Sequence, residues 1–181
     1  WSGGIAFNTV VAFGGSQRVY GSAIGTVDAS QILVSSGGHL VSAAIVNNGD
    51  LELYGGGVAV GATVSSGGSV GILAGGIASG TTFLSGGAAY VFAGGSALAT
   101  VVSSGASINV YFGAYWSGTT ISNGGSAVVS SGGIASGTVL QSGGTESVSP
   151  SEAAWIQAWH PPGRETAPRR TPTTHKGGSR R

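Results

Sequence analysis

Glycine pairs, or one-residue variants of them, begin at positions 37, 48, 56, 67, 75, 86, 94, 105, 113, 124, 132 and 143. The intervals alternate 11 and 8 without a break, a strict 19-residue repeat over residues 37–149. Degenerate members such as Asn48-Gly49, Gly105-Ala106 and Gly113-Ala114 hold the frame. This density of glycine excludes a helical repeat, because each glycine costs about 1 kcal/mol inside a helix. A propeller is disfavoured too, since its blades need about 40 residues each. Upstream, Gly3 to Gly14 is another step of 11, but Gly14 to Gly37 spans 23 residues where the repeat calls for 27. The N-terminal rungs are therefore expected to be irregular.

Stacking the copies shows what each column requires. The long unit reads GGVAVGATVSS at 56–66 and GGIASGTTFLS at 75–85. Its ninth column is Ile45, Val64, Phe83, Val102, Ile121 and Leu140, and its seventh is Ala43, Ala62, Thr81, Thr100, Thr119 and Thr138. The short unit reads GGSVGILA at 67–74, with Leu53, Ile72, Val91, Val110, Val129 and Val148 in its sixth column. Its fourth column is Leu51, Val70, Ala89, Ile108 and Ala127, until Glu146 breaks the series. A strict apolar column alternating with a free one has period two, the mark of a strand with one buried face. Each repeat then reads as strand, turn, strand, turn, too little chain to enclose a core alone. Stacking successive copies about 4.8 Å apart supplies both the hydrogen bonds and the missing interior. The expected fold is an all-β, right-handed parallel β-helix with 19-residue rungs, its hand taken from the rule for parallel crossovers. Six strict rungs predict a rod of roughly 29 Å.

Composition divides the chain in two. Residues 1–149 hold 33 of the 36 glycines and set Arg18 against Asp28, Asp50, Glu52 and Glu146. Residues 150–181 hold all five prolines and six of the seven Lys and Arg. Proline and charge predict a disordered tail there, and its break with the repeat reads as a shifted reading frame or a chimeric gene model. With no Cys, the chain has no disulfide scaffold or thiol chemistry. Apolar runs of four or five residues are far short of the ~20 a membrane-spanning helix needs. The opening Trp1, without Met or a signal-peptide pattern, reads as the start of an internal fragment.

Catalytic groups are sparse. His39 is alone among the first 149 residues, and Asp50 and Glu52 alternate on one strand face, which reads as a solvated face rather than a metal or acid–base pair. A solenoid polysaccharide lyase or hydrolase needs clustered charged residues in a groove, so a carbohydrate-active enzyme is the remotest reading. No catalytic residue, cofactor site or metal site is assigned. RTX-type calcium rolls need an Asp in each nonapeptide, and the glycine pairs lack the Lys-Ser/Thr ending of a phosphate loop. Two surface features stand out. Ser66, Ser85, Ser104 and Ser142 close the long unit, with Asn47 and Asn123 in other copies. Their hydroxyls either bond the turn backbone or stand accessible as O-glycan acceptors, since no Asn-x-Ser/Thr sequon exists. Tyr54, Phe92, Tyr111 and Tyr115 form a candidate interaction stripe, while Phe112 and Trp116 either join it or pack at corners between sheets. The tail arginines are assigned to solvated chain, not to nucleic acid.

Units such as SSGGSVGILAGGIASGTTFLSGG at 65–87, with GGSQRVYG at 14–21, resemble the 19-residue repeats in passengers of AIDA-type autotransporter adhesins of Gram-negative bacteria. The resemblance covers about residues 2–149. It implies a passenger displayed on the bacterial surface or secreted, reaching the outer membrane through a C-terminal β-barrel absent from this sequence. It also implies cell–cell aggregation, biofilm formation or host attachment, with identical passengers or host glycans and proteins as partners. A heptosyltransferase acting on repeat serines is a further implied partner. The competing expectation is a structural stalk that projects a separate functional domain.

Overall fold

The computed structural model describes residues 3–149, and the tail expected at 150–181 lies outside them. Three eight-stranded sheets, parallel throughout, run side by side along the molecule. Sheet A runs from strand Ile5–Phe7 to Ile134–Ser136, sheet B from Val10–Val11 to Val139–Leu140, and sheet C from Ser16–Val19 to Thr145–Val148. Each rung gives one strand to each sheet, so the molecule is an all-β parallel solenoid of eight rungs. In the regular part every residue pairs with the one 19 positions on, as in Val58 with Ile77, Val64 with Phe83 and Ile72 with Val91. No helix occurs among the described residues.

The repeat differs in one respect from strand, turn, strand, turn: a rung has three strands. The long unit is split at its sixth column, where Gly61, Gly80, Gly118 and Gly137 have φ of 63–64°. That left-handed residue turns the chain from sheet A into sheet B within two residues. The split creates a third inward column that the sequence pattern does not single out: Leu40, Ala59, Ala78, Ala97, Trp116 and Ala135, all buried. Its alanines offset bulk elsewhere in the rung. The rung that holds Phe83 has Ala78 and Ala89 at other inward positions, and the one that holds Trp116 has Ala127. Such exchange of volume keeps a narrow core filled at native density.

Ile45, Val64, Phe83, Val102 and Ile121 line the interior, as do Leu53, Ile72, Val91, Val110 and Val129. Leu140 and Val148 in the last described rung are partly buried against the same cluster. The two glycines of a pair have separate jobs. At Gly86–Gly87 the first takes φ +78°, while a Cβ on the second would lie 2.4 Å from the Val64 carbonyl oxygen of the rung before.

The two N-terminal rungs join the same sheets in full register. Their irregularity is confined to corners. Sheet C passes to sheet A through two residues between Val19 and Ser22, against four between Leu53 and Val58. Sheet B passes to sheet C through two residues between Asp28 and Gln31, against four between Ile45 and Asp50. Together these account for the four residues missing between Gly14 and Gly37.

Candidate binding surface

The corner between sheets B and C carries the serine column. Ser66, Ser85, Ser104 and Ser142 are all exposed there. The turn backbone satisfies itself along the stack: Ser66 N–H donates to the Ser85 carbonyl at 3.1 Å, and Gly86 N–H to the Gly105 carbonyl at 3.0 Å. The same ladder continues through Gly105 to Gly124 and Gly124 to Gly143. The backbone therefore does not call on the serine hydroxyls, and none of the four makes a side-chain hydrogen bond among the described residues. The glycine of the next rung leaves them room. A Cβ on Gly105 would stand 2.9 Å from Ser85 Oγ, and one on Gly124 would stand 2.7 Å from Ser104 Oγ.

The corner between sheets C and A carries aromatics. Tyr54, Leu73, Phe92 and Tyr111 occupy equivalent positions on four successive rungs. The Phe92 and Tyr111 rings stack with centroids 5.1 Å apart at an interplanar angle of 15°, as rung spacing and offset ring packing favour. Leu73 separates Tyr54 from that pair. Tyr115 lies on the outer side of sheet A rather than in the corner, and Phe112, 74% exposed, lies across Gly132 of the next rung.

Trp116 belongs to neither corner nor stripe. It points inward from sheet A, fully buried, and its Nε1–H donates to Thr100 Oγ1 at 2.9 Å. Thr100 and Thr119 hydroxyls are 2.6 Å apart, so Trp116 feeds the buried threonine column. This hydrogen bond explains how an indole tolerates full burial.

The carboxylates do not converge into a catalytic centre. Asp50 and Glu52 lie on the outer face of sheet C, where Asp50 accepts the Ser69 hydroxyl at 2.7 Å. Asp28 is different. It pairs with Val11 and Ile45 in the ninth column, fully buried. Its Oδ1 accepts Ser30 N–H at 2.9 Å, closing the two-residue corner, while Oδ2 has no partner. Burial, and secondarily the nearby Asp50 charge, push its carboxyl above the usual range. The lost 19-residue frame hid this placement; assigning the shortfall to the two corners puts Asp28 in the Ile45 column. Among the described residues no three His, Cys, Asp or Glu side chains assemble as metal ligands.

The result is a parallel solenoid whose accessible chemistry lies in ladders along its corners and faces. No protein-family profile matches the chain, and no curated protein does. Among solved structures it is similar to a TibA fragment that is hyper-glycosylated by TibC. The two share 30% sequence identity over 87% of this chain and 72% of that one, with a TM-score of 0.53. The chain belongs to the family of autotransporter adhesin passengers that this fragment represents.

Proposed function

We propose that the chain is part of an AIDA-type adhesin passenger, displayed on the bacterial surface or secreted. There it mediates cell–cell aggregation, biofilm formation or host attachment. Binding is spread over many shallow contacts along the rod, and summed contacts give avidity without a single deep pocket. Ser66, Ser85, Ser104 and Ser142 are its O-glycan acceptors, modified by a heptosyltransferase before export. The observation that carries this is the free serine corner: four exposed hydroxyls in one column, with the turn backbone bonded to itself. The similar TibA fragment, hyper-glycosylated by TibC, supports the assignment. Tyr54, Phe92 and Tyr111 then offer rings for partner glycans or proteins on the neighbouring corner, with Tyr115 beside it on the outer side of sheet A.

The test is intact-mass analysis of the whole chain after co-expression with such a transferase. Heptose-sized increments, lost one by one as the four serines are replaced by alanine, are expected. An unmodified mass, or increments untouched by the four replacements, would reject the acceptor assignment.

A further inference from the structure

The outer face of sheet A is the wider of the two uncharged sheet faces, with three-residue strands against two in sheet B. Val58, Val60, Ile77, Leu98, Tyr115 and Ile134 stand on it in two straight columns, interspersed with serines. Val60, Tyr115 and Ile134 are exposed by 41–43%. Contiguous apolar columns of this kind mark a surface able to take a partner. Of the charged residues described, Arg18, Asp50 and Glu52 lie on sheet C, and Asp28 and Glu146 occupy inward columns. Among the described residues, His39 and Tyr115 are the only ionisable side chains on the face of sheet A.

We infer that the outer face of sheet A is a homotypic interface, on which a second copy of this chain packs face to face. The inference rests on the aggregation function proposed above and names the surface that performs it. Charge selects the partner. Copies meeting through sheet C bring Asp50 and Glu52 against their counterparts, whereas sheet A meets its own image with no ion pair to bury or oppose. A second copy also has the same rung spacing, so its columns mesh with these along the whole rod. Sheet B is uncharged too, but its two-residue strands give a narrower face beside the serine corner. That corner lies opposite sheet A in a three-sided rod, so glycans on it leave sheet A bare.

Area sets the strength. Eight strands of three residues give a face of roughly 380 Å², about half the ~800 Å² per partner of a stable interface. Pairing is therefore weak between free chains and effective when many copies are presented together.

The chain contains no cysteine, which makes single-cysteine variants a direct reporter. Full-length chains carrying Ser79→Cys on sheet A, Ser103→Cys beside sheet B or Ser107→Cys on sheet C are coupled to beads at high density and oxidised. Clustering with Ser79→Cys cross-links forming about tenfold faster than the other two supports the assignment. Ile77→Lys and Ile134→Lys, checked by circular dichroism for retained β-structure, are expected to abolish clustering. Clustering that survives both lysines, or cross-links that favour Ser107→Cys, overturns the sheet A interface and leaves self-association standing. Beads that never cluster overturn both.

Discussion

Asp28 illustrates how a single residue sits against the grain of the repeat. Its column is otherwise apolar, yet the short corner after it needs an acceptor for Ser30 N–H, and Asp28 Oδ1 supplies it. The unpaired Oδ2 is the cost, because a buried polar atom without a partner forfeits its hydration. With its carboxyl raised in the folded state, Asp28 contributes most below the unfolded value of 3.8, and that contribution is lost as pH rises through the folded value. Asp28→Asn keeps the acceptor and carries no charge at any pH. The variant is expected to be more stable than the parent at pH 7, because it removes the buried charge. The advantage is expected to shrink on acidification and vanish near pH 3, as read from urea midpoints. An advantage that did not change with pH, or a loss of stability at pH 7, would contradict the account of this carboxyl.

Strands carry the alternation that the sequence pattern makes visible. Along Ser126–Val129 the inward Ala127 and Val129 are buried, while Val128 is 41% exposed. Val129→Asp buries an unpaired charge between Val110 and Val148 and is expected to cost several kcal/mol. Val128→Asp, one residue away on the outer side, is expected to stay within about 0.5 kcal/mol of the parent. Equal effects in thermal or urea unfolding would mean that the strand does not have the face assigned to it. The ninth column of the long unit and the sixth of the short unit were legible because large apolar residues recur there in every strict repeat of residues 37–149. The strand of sheet A was not, since its inward column is mostly alanine, which carries little hydrophobic signal, and Trp116 looks like a surface aromatic beside Tyr115. Burial of that indole depends on the Thr100 hydroxyl one rung before, a contact that no local pattern encodes. The corners were legible as turns from their glycines. The freedom of the serine hydroxyls was not, because it depends on where neighbouring rungs send their backbone hydrogen bonds.

At the scale of the whole molecule, each rung is unable to close a core and borrows its interior from the rungs on either side. A constant register turns one residue type per repeat into a ladder, so a serine, an aromatic or a small apolar residue becomes a corner or a face. The proposed division of labour follows from this: acceptor serines on one corner, ring faces on another, and an uncharged sheet opposite the serines. All of it depends on one rung of advance for every 19 residues. Nitroxide labels on the double variant Asn47→Cys/Ser142→Cys, five repeats apart along one corner, measure that advance directly by pulsed electron resonance. The account predicts a separation of roughly 24 Å, falling to roughly 19 Å for Ser66→Cys/Ser142→Cys. Separations that failed to fall by about one rung spacing between the two pairs would contradict the stacked solenoid.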